Sequence, residues 1–449
     1  MVTTSATFPK PTLAKPATTA GGKPPFWLRA LRTSVWTALG VVAAVVVTEA
    51  LFTVAHIGEE EFVDVHPTIG FWHMPNRLVT WRSEGYSQSK TNTDGMRDIN
   101  FPADKPAGVK RIAFTGDSMV EGYQVAPEQT FVKLIADRFT KDGITAQGLN
   151  FGMSGYSTVQ NLYLFKEKVL KYHPDMVVVA YHIGDNEKNQ FAPSPGGFMP
   201  RPHALLEKGL LKTDWRGYDV WWDGPMHQQY SANSWLRTNS RIWGVLTKLE
   251  LQASDLKWYA NLKKAMSGKS KQPLVPERFT STASDFGVDA TALDTSFVKL
   301  PQANWLYLPI DKNLPPAVAK EVSKERDISV GWRMILNNSN ERFAVTGACL
   351  DLLNRACKKA GCKLVVAGLP APDNSLLYKR ELLMMNKLAK QSGFTFVDIN
   401  AEFPQIAPMQ PSDFYYNVHF TPRGHELVAD ILYKHLKQSG LFDYLRTSS

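Results

Sequence analysis

Four short segments of the sequence hold side chains of the kind that nucleophilic catalysis requires. The first, "RIAFTGDSMVEG", is a β-forming run that breaks at Gly116 and continues into Ser118. The others are "NFGMSGYST", "HIGDNEKN" and "DFYYNVHFTPRGH", which contain Gly155, Asn186 and His419. A serine hydroxyl becomes a nucleophile when a histidine removes its proton, and backbone or amide N–H groups stabilise the oxyanion that then forms.

Ser118 also fits a structural role, because Ser-x-x-Glu after a strand is the pattern of a helix capping box. In that arrangement the Ser118 hydroxyl and the Glu121 carboxylate each accept a hydrogen bond from a backbone N–H at the helix start. A serine at this position can cap a helix and act as a nucleophile. The order of the other three segments along the chain favours the nucleophile.

Strands and helices alternate along the two parts of the chain that contain these segments. Apolar runs predict strands at 110–115, 147–150, 176–181, 363–370 and 395–400. Amphipathic runs predict helices at 128–141, 157–171, 341–359 and 375–391, and a last helix that begins at Pro422. This alternation is typical of a parallel sheet with helices on both faces, whose ligands bind beyond the carboxyl ends of the strands. The chemistry-bearing segments follow predicted strands in this way.

Two further regions precede or interrupt the alternation. Residues 57–108 contain short aromatic and β-branched runs and an Asp94-Gly95 turn signal, so they predict a small antiparallel β extension. Residues 191–340 are rich in proline and hold eight of the 12 tryptophans of the chain. They predict an insertion that splits the α/β domain into 109–190 and 341–445. Most of its aromatic side chains are expected in a core, and the rest on a surface for sugars or partners.

The four segments together resemble the SGNH (GDSL) esterase superfamily. The family pattern is Gly-Asp-Ser, then a glycine, then Gly-x-Asn-Asp and finally Asp-x-x-His. Here Ser118, Gly155, the run Gly184-Asp185-Asn186-Glu187 and His419 match it in order, over residues 109–190 and 341–440. The resemblance implies a flavodoxin-like three-layer sandwich with a parallel sheet.

The resemblance also implies roles for the matched residues. Ser118 would be the nucleophile and His419 its base, through an acyl-Ser118 intermediate. The oxyanion donors would be the backbone N–H groups of Ser118 and Gly155 and the side-chain amide of Asn186. His182 and Asp185 are expected to contact the substrate, although His182 also suits a structural role. No metal or other cofactor is expected, and His425 is expected to be structural.

The last segment departs from the family pattern. Tyr416 stands where the family has its aspartate, and the nearest acid is Asp413, six residues before His419. The group that orients His419 is therefore Asp413, a backbone carbonyl, or nothing, which would leave a Ser-His dyad. A dyad or a carbonyl partner is slightly favoured, because the six-residue separation between Asp413 and His419 contains three bulky aromatic residues, Phe414, Tyr415 and Tyr416. Glu187 also replaces the usual aspartate of the third block.

An apolar stretch near the N-terminus predicts attachment to a membrane. Residues 35–55 are 21 residues with one charge, about the length that crosses a hydrocarbon core as a helix. The expected boundaries are a disordered basic cytoplasmic tail at 1–33 and a transmembrane helix at 34–56. Basic residues precede the stretch and acidic residues follow it, which puts the body outside the cytoplasm. A cleaved signal peptide is the alternative, and it exports the body as well.

Composition excludes several other classes of function. The net charge of +9 is modest for 449 residues, and no basic run is interleaved with aromatic residues, so no nucleic-acid partner is expected. The three cysteines, Cys349, Cys357 and Cys362, match no zinc pattern. A disulfide between Cys357 and Cys362 is left open by their spacing.

Three functions are consistent with the sequence. The first is a cell-envelope serine esterase that hydrolyses O-acyl groups, most plausibly acetyl esters on a glycan, with a lysophospholipase as a variant. The second is a glycan O-acyltransferase that uses the same residues, since membrane-anchored SGNH proteins linked to exopolysaccharide acetylation resemble this layout. The third is a non-catalytic glycan-binding assembly protein, which the altered last segment and the aromatic insertion would suit.

Overall fold

A parallel sheet of five strands lies at the centre of the computed structural model. The structure describes residues 25–55, 57–58, 61–182, 184–189, 200–222, 225–254, 278–299, 329–371, 376–406 and 413–447. The strands within these residues are, in chain order, β1 Val63–His66, β2 Gly70–His73, β3 Leu78–Trp81, β4 Ser87–Lys90, β5 Lys110–Gly116, β6 Ala146–Gly152, β7 Met176–Tyr181, β8 His203–Glu207, β9 Leu210–Asp214, β10 Phe279–Ser281, β11 Lys363–Gly368 and β12 Thr395–Asp398.

The order of the central strands is that of a flavodoxin-like sheet. They lie side by side as β12, β11, β7, β5 and β6, and every neighbouring pair is parallel. Counted along the chain, this is the order 2-1-3-4-5 read from the β6 edge. Gly116 lies opposite Gly152, and Thr115 lies opposite Val179, so β5, β6 and β7 end at one edge of the sheet. The expected α/β sandwich is confirmed.

Helices cover both faces of this sheet. The α-helices among the described residues are α1 Phe26–Val54, α2 Ser118–Glu121, α3 Phe131–Lys141, α4 Thr158–Leu164, α5 Arg216–Trp222, α6 Pro225–Ala232, α7 Ser234–Asn239, α8 Arg241–Ser254, α9 Thr282–Asp285, α10 Ser329–Ala360, α11 Leu376–Ser392, α12 Ile399–Ile406, α13 Pro422–Gln438 and α14 Leu441–Thr447. Alternate residues of β7 point to opposite sides. Val177 and Val179 pack in the core with α4, α10 and α11, whereas Val178 packs in the core with α3, α13 and α14. These two cores make the three-layer sandwich.

Several boundaries differ from those expected. Helix α10 begins at Ser329, inside the expected insertion, and α12 begins directly after β12, where a longer strand was predicted. The helix expected at 157–171 is α4 followed by a π turn at Phe165–Val169 and a 3-10 turn at Leu170–Tyr172. The Asp94-Gly95 turn is present, with Gly95 at φ +84°, but it does not join paired strands. The antiparallel pairs of the N-terminal extension are β1 with β2 and β3 with β4.

The insertion contains its own small sheet. Strands β8, β9 and β10 pair antiparallel in the order β10, β9, β8. Trp215 and Trp221 are buried, as expected for core aromatic residues, whereas Trp235 is 69% exposed. The insertion boundaries at 191 and 340 stay predictions, since residues 190–199, 255–277 and 300–328 lie outside the described ones.

The N-terminal segment and the rest of the chain form two separate compact units, divided at Gly58. Within the first, α1 is a 29-residue helix without buried residues, long and apolar enough to cross a membrane. It starts at Phe26, earlier than the expected boundary at 34, and the predicted disorder of residues 1–24 falls outside the described residues.

All three cysteines are buried free thiols, so the disulfide between Cys357 and Cys362 is not formed.

A buried arginine ties the N-terminal β extension to the α/β domain. Arg97 is 1% exposed, and its Nη1 donates to the carbonyl oxygens of Glu121 and Gly122 at 3.0 and 2.7 Å. Its Nε donates to the hydroxyl of Ser89 in β4 at 2.9 Å. One guanidinium therefore joins the β3–β4 hairpin to the loop that follows α2, and these acceptors lose their partner when it is removed.

We predict that Arg97→Met lowers the free energy of unfolding by at least about 2 kcal/mol, because it leaves several buried acceptors unsatisfied. Urea denaturation measures the change. Arg138→Met is the matched control: Arg138 pairs with the exposed Asp430, and loss of a surface ion pair costs less than about 1 kcal/mol. Equal effects of the two substitutions would contradict the assignment of Arg97 as the link.

Candidate active site

The nucleophile candidate sits in the sharp connection between β5 and α2. Ser118 is the first residue of α2, and Asp117 is the N-cap, whose Oδ1 accepts a hydrogen bond from the backbone N–H of Met119 at 3.0 Å. The capping-box interpretation of Ser118 is therefore wrong, because the neighbouring aspartate takes that role. Its other member, Glu121, turns away to bind Nε2 of His73 at 2.6 Å. The Ser118 hydroxyl is left to a different partner.

That partner is His419. Its Nε2 lies 2.9 Å from Oγ of Ser118. His419 stands in the loop ahead of α13, which is closed by a bridge between Tyr415 and Phe420. The loop ends at Thr421, which caps α13 by accepting a hydrogen bond from the backbone N–H of Gly424 at 3.2 Å. The serine and the histidine thus meet across 301 residues of sequence.

The acid that meets His419 comes from the N-terminal β extension. Oε2 of Glu84 hydrogen-bonds to Nδ1 of His419, and Oε1 accepts a hydrogen bond from the backbone N–H of Val418 at 3.3 Å. The side chains of Glu84 and His419 are 17% and 19% exposed, so the pair is largely shielded from water. Ser118, His419 and Glu84 form one continuous chain of hydrogen bonds.

Glu84 replaces the partners that the sequence suggested. Both ring nitrogens of His419 are engaged, by Ser118 and by Glu84, so Asp413 has no ring atom to bind. Asp413 instead faces solvent, and its backbone carbonyl accepts a hydrogen bond from the Thr421 hydroxyl at 2.6 Å. The expectation of Asp413, a carbonyl or no partner is corrected. The family pattern points to the residues just before His419, whereas Glu84 is 335 residues away in the sequence.

Tight packing of the β3–β4 hairpin against the histidine loop holds Glu84 in place. Gly85 follows it in the left-handed region, at φ +65°, and a Cβ there would lie 2.8 Å from the ring of Tyr416. Tyr416, which stands at the position of the family aspartate, donates its backbone N–H to the carbonyl of His419 at 2.9 Å. The hairpin is also fixed at Ser87, whose hydroxyl donates to the carbonyl of Tyr123.

The second segment forms a turn beside the nucleophile. The backbone N–H of Met153 donates to the carbonyl of Gly116 at 3.1 Å, two residues before Ser118. The N–H of Tyr156 donates to the carbonyl of Met153 at 3.1 Å, and Gly155 between them has φ +77°. Glycine is favoured at the third position of such a turn because φ is positive there. The structure thus brings Gly155 to the same sheet edge as Ser118.

The third segment brings Asn186 to this edge as well. It follows β7, the neighbour of β5, and it is 3% exposed. Its amide nitrogen donates to Oε1 of Glu381 at 2.6 Å. A primary amide has two N–H groups, so this contact leaves a second donor on the same nitrogen. The predicted oxyanion donors Ser118, Gly155 and Asn186 therefore come from the ends of three adjacent strands.

The two residues expected to contact substrate are buried to different degrees. Asp185 is 1% exposed, and its Oδ2 accepts the backbone N–H of His182 at 2.9 Å, which closes the turn after β7. Burial, followed by the charge of Asp117, raises the pKa of Asp185 well above its usual range. It offers no exposed surface to a substrate, which corrects that expectation. His182 is half-buried, with Nδ1 at 4.0 Å from Oδ2 of Asp117.

His425 is buried beneath the site. It is 1% exposed, and its Nδ1 accepts a hydrogen bond from the backbone N–H of Phe131 at 3.3 Å. Burial lowers its pKa to about 3, with the charges of Arg97 and His419 as further causes. The ring is therefore neutral and structural at ordinary pH. No group of metal-ligating side chains occurs among the described residues.

Comparisons with known proteins return solved structures only. No protein-family model matches the sequence, and no curated protein sequence matches it. The chain is similar to TesA at 10% identity and a TM-score of 0.34, covering 73% of this chain and 99% of that one. It is similar to Axe2, an acetylxylan esterase from Geobacillus stearothermophilus, at 11% identity and a TM-score of 0.33, over 74% and 94% of the two chains. It is also similar to a putative GDSL-like lipase from Parabacteroides merdae, at 11% identity and a TM-score of 0.33, over 74% of this chain and 96% of that one.

We predict that Glu84→Gln lowers kcat on an ester substrate by about 10³–10⁴-fold, because the amide no longer holds the Nδ1–H tautomer or stabilises the imidazolium. The matched control is Asp413→Asn, which removes the acid that the sequence favoured and should leave kcat near the wild-type value. Steady-state kinetics on purified full-length protein measure both. A large loss for Asp413→Asn together with a small one for Glu84→Gln would reverse the assignment.

Proposed function

We propose that the protein is a serine ester hydrolase of the cell envelope, which removes O-acyl groups through an acyl-Ser118 intermediate. The observation that carries the proposal is the chain of hydrogen bonds from the Ser118 hydroxyl through His419 to Glu84. A serine, a histidine and an acid in this sequence of contacts is the arrangement that activates a hydroxyl for attack on a carbonyl.

The acylation step follows from the contacts of His419. Nε2 accepts the proton of the Ser118 hydroxyl while Oγ attacks the ester carbonyl carbon. Glu84 keeps the other proton on Nδ1 and stabilises the positive charge that the ring acquires. The protonated ring then gives its proton to the leaving alcohol oxygen, and the acyl group stays on Ser118. Water repeats the sequence in reverse, which releases the carboxylic acid and restores the hydroxyl.

The oxyanion of each tetrahedral intermediate needs fixed donors. The backbone N–H groups of Ser118 and Gly155 and the amide of Asn186 are the proposed donors, since they come from adjacent strand ends. Preorganised donors of this kind lower the barrier because they need no reorientation as the charge develops, and loss of one costs about 10²–10³-fold in rate.

The proposed substrate is an acylated glycan. Tyr86 follows Glu84 by two residues and is 67% exposed, and Tyr416 lies in the loop of His419 and is 43% exposed. Exposed aromatic rings beside a catalytic centre suit the apolar faces of sugar rings. An envelope location is proposed because α1 is long and apolar enough to cross a membrane. Residues 35–55 would then lie in the membrane, and the basic residues before them and the acidic residues after them would put the body outside the cytoplasm.

A fluorophosphonate probe tests the proposed chemistry. We predict that the probe labels wild-type protein on Ser118, because only an activated serine attacks it at a useful rate, and that Ser118→Ala and His419→Ala abolish labelling. Ser154→Ala is the matched control: its hydroxyl lies in the same region but donates to Glu121, so labelling should persist. Peptide mass spectrometry locates the adduct. An unlabelled wild type, or an adduct on another serine, would contradict the proposal and favour a non-catalytic binding protein.

The acyl acceptor separates hydrolase from transferase. We expect that labelled acetyl groups from an acetylated oligosaccharide appear as free acetate. Transfer to an added unacetylated oligosaccharide in preference to water would instead identify an O-acyltransferase that uses the same residues.

The membrane orientation is tested by reporter fusions. We predict that alkaline phosphatase fused after residue 60 is active and that a cytoplasmic reporter fused there is inactive. Arg29 and Arg32 precede the apolar stretch, whereas Glu61 and Asp64 follow it, and basic residues stay on the cytoplasmic side. The opposite pattern of reporter activity would place the body in the cytoplasm and exclude an envelope glycan as substrate.

A further inference from the structure

A buried carboxylate on α11 holds the amide of Asn186. Oε1 of Glu381 accepts a hydrogen bond from Nδ2 of Asn186 at 2.6 Å, and Oε2 accepts one from the hydroxyl of Tyr181 at 2.8 Å. Glu381 is 2% exposed, and Asn186 is 3% exposed. A buried carboxylate in a sheet domain of this kind requires such partners, since an unpaired charge there is very costly. The proposed acylation step uses the Asn186 amide as an oxyanion donor and assigns no role to Glu381.

The contact matters because an asparagine amide has two chemically different ends. The nitrogen donates hydrogen bonds and the oxygen accepts them, so a flipped amide would present an oxygen to the developing oxyanion. An ionised carboxylate only accepts. It therefore selects the orientation in which the nitrogen faces Glu381, and the second N–H of that nitrogen remains for the oxyanion.

A tyrosine side chain joins α11 to the ends of two sheet strands. The hydroxyl of Tyr378 lies within hydrogen-bonding distance of the carbonyl of Leu369, just beyond β11, at 2.6 Å and of the carbonyl of Tyr181, at the end of β7, at 3.2 Å. Glu381 stands three residues after Tyr378, and residues at that spacing share a helix face. The hydrogen bonds of Tyr378 therefore fix the position of α11 along the strand ends, and with it the position of the Glu381 carboxylate.

The hydroxyl of Tyr181 is a hydrogen-bond donor to Glu381. Burial, with the charge of Glu381 as the next cause, raises the pKa of Tyr181 well above its usual range, so this hydroxyl keeps its proton and donates it. Burial and the charge of Asp117 raise the pKa of the neighbouring Asp185 well above its usual range. Both carboxylate oxygens of Glu381 accept hydrogen bonds, Oε2 from Tyr181 and Oε1 from Asn186.

We propose that Glu381 is a positioning residue that orients the Asn186 amide as an oxyanion donor. The inference rests on the proposed serine esterase function, and it assigns a role in that reaction to a part of the chain outside the four sequence segments. Glu381 acts through Asn186 alone in this account, so the two residues should behave as one unit when they are substituted.

A double-mutant cycle tests this on the full-length protein with p-nitrophenyl acetate. We expect Asn186→Ala to lower kcat by about 10²–10³-fold and Glu381→Met to lower it by about 10–100-fold, the usual loss for an outer-shell partner. KM should change little in both, because the donor acts mainly in the transition state. The double variant should lose no more than Asn186→Ala alone. Glu381→Gln retains an acceptor oxygen and should recover most of the loss.

Thr346→Val is the control for damage to packing. The Thr346 hydroxyl accepts a hydrogen bond from the amide of Asn189 at 2.8 Å, so it is a buried amide contact three residues beyond Asn186. The Thr346→Val substitution should lower the melting temperature and leave kcat unchanged. A Glu381→Met effect on kcat equal to that of Thr346→Val, or losses that multiply in the double variant, would overturn the inference. If Glu381→Met does not fold, a Glu381→Gln variant whose lost activity multiplies with Asn186→Ala would overturn it as well. A wild type without esterase activity would instead refute the proposed function.

Discussion

The hydrogen bond between Glu84 and Nδ1 of His419 is the contact on which the proposed chemistry depends. A neutral imidazole carries its proton on one nitrogen only, and catalysis requires that proton on Nδ1 so that Nε2 can accept from Ser118. A carboxylate on Nδ1 enforces this tautomer, and it also favours the protonated ring that forms during the reaction. Without it, the short contact between Ser118 and His419 would not specify which atom is the donor.

This contact makes the N-terminal β extension a part of the active site. The hairpin that carries Glu84 is held by Arg97, which donates to the loop after α2, and by Ser87, which donates to Tyr123. A buried pair of His73 and Glu121 adds a second link between the extension and the helix that starts at Ser118. The segment that delivers the acid and the segment that delivers the nucleophile are therefore fixed to each other directly. This arrangement differs from the one expected from the sequence, in which the acid and the histidine share one loop.

The parts of the structure that depend on local pattern could be predicted from the sequence. The alternation of apolar runs located all five central strands, and the positions of Ser118, Gly155, Asn186 and His419 beyond strand ends or ahead of the last helix followed from it. Pairwise tertiary contacts could not be predicted in the same way. Glu84 lies in "WRSEGYSQ" and Glu381 lies in an ordinary amphipathic helix, and nothing in either stretch indicates a partner hundreds of residues away. Ser-x-x-Glu fits a capping box in the sequence, and only the backbone geometry shows that Asp117 caps α2.

Proton NMR of full-length protein with ¹⁵N-labelled histidine tests the Glu84–His419 contact most directly. An Nδ1–H group held by a carboxylate gives a strongly downfield proton resonance that correlates with its own nitrogen. The account predicts such a resonance for His419 in the wild type and in Asp413→Asn, and its loss in Glu84→Gln and in His419→Ala. A resonance that persists in Glu84→Gln and disappears in Asp413→Asn would show that Asp413 orients the histidine, and it would contradict the account.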